Sequence, residues 1–80
     1  MDDVEIVQRI SALANEEHQL ERSHTGTGLS DEEMERLRAV EVALDQCWDL
    51  LRQRRARRLA GQDPDEAAVR PADIVEGYQQ

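Results

Sequence analysis

Aromatic side chains are almost missing from this sequence: Trp48 and Tyr78 stand alone, and there is no phenylalanine. A thick core built on large rings is thereby excluded, and the apolar material has to lie along a narrow seam. Cysteine occurs once, as Cys47. A single thiol closes no intramolecular disulfide, and no paired Cys/His spacing offers structural zinc, which fits a reducing cytoplasm. Long apolar runs are lacking as well. Nothing approaches the length of a transmembrane helix, and the acidic start Met1-Asp2-Asp3-Val4-Glu5 has neither the basic region nor the apolar stretch of a signal peptide. The expected setting is soluble and cytoplasmic.

Charge, by contrast, is plentiful. Charged residues make up 35% of the 80 residues and the formal net charge is −8. That field repels nucleic acid and anionic lipid alike, so generic binding to either is disfavoured and only a local exception is open. A chain this short buries only about 60% of the surface it exposes when unfolded, and a large catalytic pocket is not expected.

The helical signal is clear where glycine and proline are absent. Ile6, Ile10, Leu13 and Leu20 recur in steps of three and four, with Glu17 in an apolar slot, and predict one helix from Asp2 to Arg22. Asp2, Asp3 and Glu5 put negative charge at its N-terminus, where the dipole favours it. Residues 23–29, with Gly26 and Gly28, predict a hairpin turn. Ser30 and Glu33 have capping-box spacing, and Leu37, Val40, Leu44, Cys47, Trp48 and Leu51 then share one face of a second helix that runs to Gly61. Asp63-Pro64-Asp65-Glu66 predicts a third, short helix, and a loosely ordered tail is expected after it.

Read backwards, Leu20, Glu17, Leu13, Ile10 and Ile6 pair with Leu37, Val40, Leu44, Cys47 and Leu51, each pair of numbers summing to 57. Such a constant sum is the register of an antiparallel hairpin. The expected fold is therefore all-α: a two-helix hairpin over residues 1–61 and an acidic segment over 62–80. The first helix would be roughly 30 Å long and the second roughly 45 Å, so the second is expected to overhang after Leu51. That overhang carries Arg52, Arg54, Arg55, Arg57 and Arg58. Acidic groups from the tail or from a second subunit are the expected partners of these arginines.

A hairpin supplies only one neighbour to each apolar stripe, which leaves Trp48, Met34 and Val7 incompletely covered. Self-association into a four-helix bundle, a homodimer, is the economical completion, and a monomer covered by its own tail is the alternative. Leu44, Cys47, Trp48 and Leu51 are the expected interface, and Arg52, Arg54, Arg55 and Arg58 the expected contact to a larger protein or, as a less favoured alternative, to nucleic acid.

The candidates for chemistry are thin. Glu17, His18 and Glu41 suggest a carboxylate-rich metal bundle, but Glu21-Arg22-Ser23-His24 has its ExxH spacing at the turn and the second helix has no histidine. No metal or other cofactor is expected. Cys47 lies near Asp45 and Asp49, which disfavour a thiolate, and reads as a structural thiol. His18 and His24 read as surface histidines. Gly26-Thr27-Gly28 lacks the lysine of a phosphate loop. The expected function is non-enzymatic.

The run Leu44-Asp45-Gln46-Cys47-Trp48-Asp49-Leu50-Leu51-Arg52-Gln53-Arg54-Arg55-Ala56-Arg57-Arg58 resembles a family of small actinobacterial proteins classed as a domain of unknown function. Glu16-Glu17-His18, Leu29-Ser30-Asp31-Glu32-Glu33, Asp63-Pro64-Asp65 and Arg70-Pro71-Ala72-Asp73 through Tyr78 look similar too, so the resemblance spans nearly the whole chain. It implies no catalytic residues.

Overall fold

The computed structural model describes residues 1–22 and 28–76; residues 23–27 of the expected turn at 23–29, with His24, and the end with Gly77 and Tyr78 lie outside the described residues. The fold is all-α. Helix α1 spans Asp3–Arg22, helix α2 spans Asp31–Leu59, a 3-10 turn covers Pro64–Glu66, and a short helix α3 covers Ala72–Glu76.

Both long helices begin, and α2 also ends, where terminal polar groups find partners. At α1 the Asp2 carboxylate accepts from the Glu5 backbone N–H at 2.8 Å while the Glu5 carboxylate accepts from the Asp2 N–H at 3.2 Å. This is a reciprocal cap that charge at the dipole alone did not predict. The expected Ser30/Glu33 box is present at α2, with both bonds at 3.2 Å. Its loss through Ser30→Ala would cost about 1 kcal/mol. Helix α2 ends as expected at Gly61, whose φ of +73° lets Gly61 N–H reach the Arg58 carbonyl and Gln62 N–H reach the Arg57 carbonyl. A side chain there would be forced into a left-handed conformation.

The hairpin core is small. Ile6, Ile10 and Leu50 form its centre, and Leu44, Cys47, Leu51 and Ala67 pack against them. Leu13 and Val40 are also buried. The two helices run antiparallel, and the ion pairs between them bracket the expected sum of 57 without fixing it: Asp3 bonds Arg54 and Arg58, which give 57 and 61, and Glu16 bonds Arg36, which gives 52. The overhang differs from expectation. Helix α1 reaches as far as Arg54, so the extra length of α2 is shared between its two ends rather than beginning after Leu51.

The tail also differs. Pro64 at the first turn position makes only a 3-10 turn, capped by the Asp63 side chain on the Asp65 N–H, and the α-helical turn comes later, after Pro71. Nor is it loose over the described residues, because Val75 is buried and Ala67 joins the core. A third element therefore packs on the hairpin within one chain.

Candidate interaction surface

With 3.6 residues per turn, α2 presents three sides. Val40, Cys47 and Arg54 face α1; Gln46, Asp49 and Gln53 face the tail; Leu37, Glu41, Trp48, Arg55 and Leu59 share the third.

The side toward the tail is a polar clamp. Asp49 is 1% exposed, and its carboxylate accepts from Arg70 Nε at 2.9 Å, from Arg70 Nη2, and from Gln53 Nε2 at 2.8 Å. The same Gln53 amide donates to the Ala68 carbonyl at 2.9 Å, and Gln46 donates to the Arg70 carbonyl at 3.2 Å. Three side chains one turn apart thus grip the backbone and guanidinium of residues 68–70. A buried carboxylate is costly unless its oxygens are all occupied, and here they are. The Arg70 guanidinium, resisted by burial and helped by Gln53, holds the Asp49 carboxyl below the usual aspartate range.

The arginine run is divided by geometry. All ten cations of the chain are arginine, a side chain suited to bridging carboxylates through its planar fork. Arg54 is buried: its Nε donates to Asp3 at 2.5 Å, and its Nη1 donates to Asp65 at 2.9 Å and to the Pro64 carbonyl at 3.2 Å. Arg58 closes on the other oxygen of Asp3, and Arg57 reaches Glu66 at 3.4 Å. Arg54 therefore ties the start of α1, the end of α2 and the tail together. The tail supplies Asp65 and Glu66, as expected, but the central acid is Asp3, expected to complement the α1 dipole and not to meet the arginines. Arg54 is withdrawn from any outer patch, while Arg52 and Arg55 remain on the exposed surface. Further along the seam, Arg36 makes a two-pronged bridge to Glu16, with Nε and Nη2 at 2.5 and 2.6 Å.

These pairs set a pH dependence. Arg54 lowers the Asp3 carboxyl, Arg36 lowers Glu16 and Arg70 lowers Asp49. A carboxyl lowered in the folded state stabilises it above the unfolded value, about pH 4. The contribution is lost as pH falls through the folded value. Glu17 runs the other way, raised first by burial and then by Glu21, Glu41 and Asp45, so its charge opposes folding as pH rises past its folded value. Below the ordinary carboxylate range Glu17 is protonated in both states and adds no slope, so the lowered carboxyls decide and the melting temperature is expected to fall as pH drops below about 4. Asp49→Asn should flatten that fall, as circular dichroism at a series of pH values would record.

The carboxylates and histidine weighed as a metal bundle, Glu17, His18 and Glu41, do not come together as one. Among the described residues no three His, Cys, Asp or Glu side chains are placed to hold a metal ion, and His18 is exposed. Glu17 faces like charges across the seam. Cys47 is half-buried, and burial pushes its thiol up against a lesser opposing pull from Arg9. Asp49, expected to act on Cys47, is instead engaged with Arg70 on another side of α2. No described helix is long and apolar enough to cross a membrane.

Among the described residues nothing covers the third side of α2. Trp48 is 49% exposed, Met34 41% and Leu59 82%, and Val7 on α1 is 50% exposed. Trp48, Leu51, Arg52 and Arg55 line a shallow groove there. Of the residues expected at an interface, Leu44, Cys47 and Leu51 spend much of their surface inside the hairpin, and Trp48 projects outward.

Residues 2–80 match the family model described as a protein of unknown function, DUF2630. The chain belongs to the DUF2630 family. It is 54% identical over 77 residues to uncharacterized protein Rv0898c of Mycobacterium tuberculosis and to uncharacterized protein Mb0922c of Mycobacterium bovis, covering 95% of this chain and 88% of each relative. No solved structure matches it. The actinobacterial resemblance read from the α2 motif thus holds over nearly the whole DUF2630 chain.

Proposed function

We propose that this DUF2630 protein is a non-enzymatic helical interaction module of the cytoplasm that self-associates through the open side of α2 and, as a unit, docks to a larger protein. One observation carries the reading. The tail fills the Asp49 side of α2 and α1 fills the Val40 side, yet the only described aromatic ring, Trp48, is left half in water. A large ring flanked by apolar and arginine surface is the composition of an interface centre. The arginine patch supports a nucleic-acid role less well, because Arg54, Arg57 and Arg58 are already joined to Asp3, Asp65 and Glu66.

The test is the accessibility of Trp48 to a neutral quencher, acrylamide, over a range of protein concentrations. Quenching is expected to fall as concentration rises, because association covers the ring. Quenching that stays at the level of a half-exposed indole at every concentration would count against self-association.

A further inference from the structure

We infer that the occupant of this open side is a second copy of the same chain, running antiparallel, with Trp48 against the partner's Trp48 and Arg55 against the partner's Glu41. The inference rests on the self-association proposed above and adds its geometry.

The argument comes from the order of side chains along the stripe. From the N-terminal end it carries Leu37, Glu41, Leu44, Trp48, Arg52, Arg55 and Leu59. All fall within a narrow arc of α2, and from Leu37 to Leu59 they span about 33 Å. Turning the stripe end for end about Trp48 superposes positions whose numbers add to 96. Leu59 then meets the partner's Leu37, Arg55 meets the partner's Glu41, and the stem of Arg52 crosses the partner's Leu44. A closed two-fold dimer requires a surface complementary to itself in this way, each contact occurring twice. The parallel alternative fails on charge, since it would set Glu41 against the partner's Glu41 and Arg55 against the partner's Arg55.

Two further observations agree. Leu59 is 82% exposed at the end of α2, an apolar residue left in water by every described element, and the antiparallel register gives it an apolar neighbour. The opposite end of the stripe is an acidic concentration: Glu17 is half-buried beside α2, and burial together with Glu21, Glu41 and Asp45 raises its carboxyl. A cation arriving from outside relieves such a field, and Arg55 of the partner subunit is the one the register delivers.

The test uses Glu41→Arg and Arg55→Glu, singly, as an equimolar mixture, and combined in one chain, with mass followed by sedimentation velocity. Both residues are exposed, so reversal leaves the hairpin intact, and helix content by circular dichroism verifies this in every sample. Each single variant places like charges together twice per dimer and should associate about tenfold or more weakly than the wild type. The mixture and the combined variant both restore opposite charges at every contact and should recover the wild-type mass. A wild-type dimer that neither reversal weakens, or singles that weaken without recovery on mixing, would overturn the antiparallel register while leaving self-association standing. A wild-type chain that is monomeric throughout would overturn the self-association itself.

Discussion

Asp49→Ala is expected to destabilise the fold by about 2–4 kcal/mol, more than removal of any exposed ion pair. The mutation removes a carboxylate that is 1% exposed, and with it the two bonds it accepts from the Arg70 guanidinium and one acceptor of the Gln53 amide. The tail then keeps the two glutamine contacts to the Ala68 and Arg70 carbonyls but loses the buried ion pair between them, which loosens the seating of Val75 and Ala67. For a domain of this size each kcal/mol shifts the midpoint by about 4–8 °C, so thermal unfolding by circular dichroism should register a drop of roughly 10–25 °C. Arg70→Ala should cost at least as much, because it leaves the carboxylate buried without its cation. Replacing both partners together, Asp49→Leu with Arg70→Met, should recover part of the loss, since it is the unpaired charge rather than the missing bridge that is expensive. A midpoint unchanged by Asp49→Ala would mean that the tail does not depend on this clamp.

The second large effect is on association. Trp48→Ala is expected to weaken self-association by a hundredfold or more, because a buried aromatic at the centre of an interface typically contributes about 2 kcal/mol or more and a two-fold dimer contains it twice. The folded monomer should tolerate the change. Trp48 lies on the third side of α2, away from the Ile6, Ile10 and Leu50 centre, and half of its surface is already in water. The expected signature is thus a separation of readouts, with the dissociation constant rising steeply while helix content is retained and the midpoint extrapolated to low concentration is preserved. Unaltered association would remove Trp48 from the interface.

What the sequence made legible, and what it hid, follows from how local each signal is. The antiparallel hairpin was readable because apolar residues at steps of three and four report directly on the buried face of a helix, and Ser30, Glu33 and Gly61 mark termini by their own chemistry. The exposure of Trp48, Met34 and Val7 followed from counting neighbours. The Asp49 clamp was hidden because Gln46, Asp49 and Gln53 form a polar stripe that reads as a solvated face. Only the presence of a single arginine, Arg70, within an acidic tail hinted that the stripe had a partner. Likewise the five arginines of 52–58 are chemically alike in sequence, and what separates buried Arg54 from exposed Arg55 is a rotation of 100° on the helix together with the distant Asp3. The reciprocal cap of Asp2 and Glu5 could have been found, since its spacing is that of Ser30 and Glu33. The tail was read in part: Asp63 caps a turn starting at Pro64 and a short helix is present, but the two are separate elements. Pro64 starts a turn but Pro71 prevents a helix from continuing through residue 70, which displaces the short helix to Ala72–Glu76.

The measurement that bears most directly on the account is the mass of the unmodified chain by sedimentation equilibrium across protein concentration and salt, with tryptophan emission recorded on the same samples. The account predicts a transition from one chain mass to twice that mass, a blue shift of Trp48 emission over the same concentrations, and some weakening as salt screens the Arg55 and Glu41 contacts. A single chain mass at every concentration, with Trp48 emission unchanged, would contradict it.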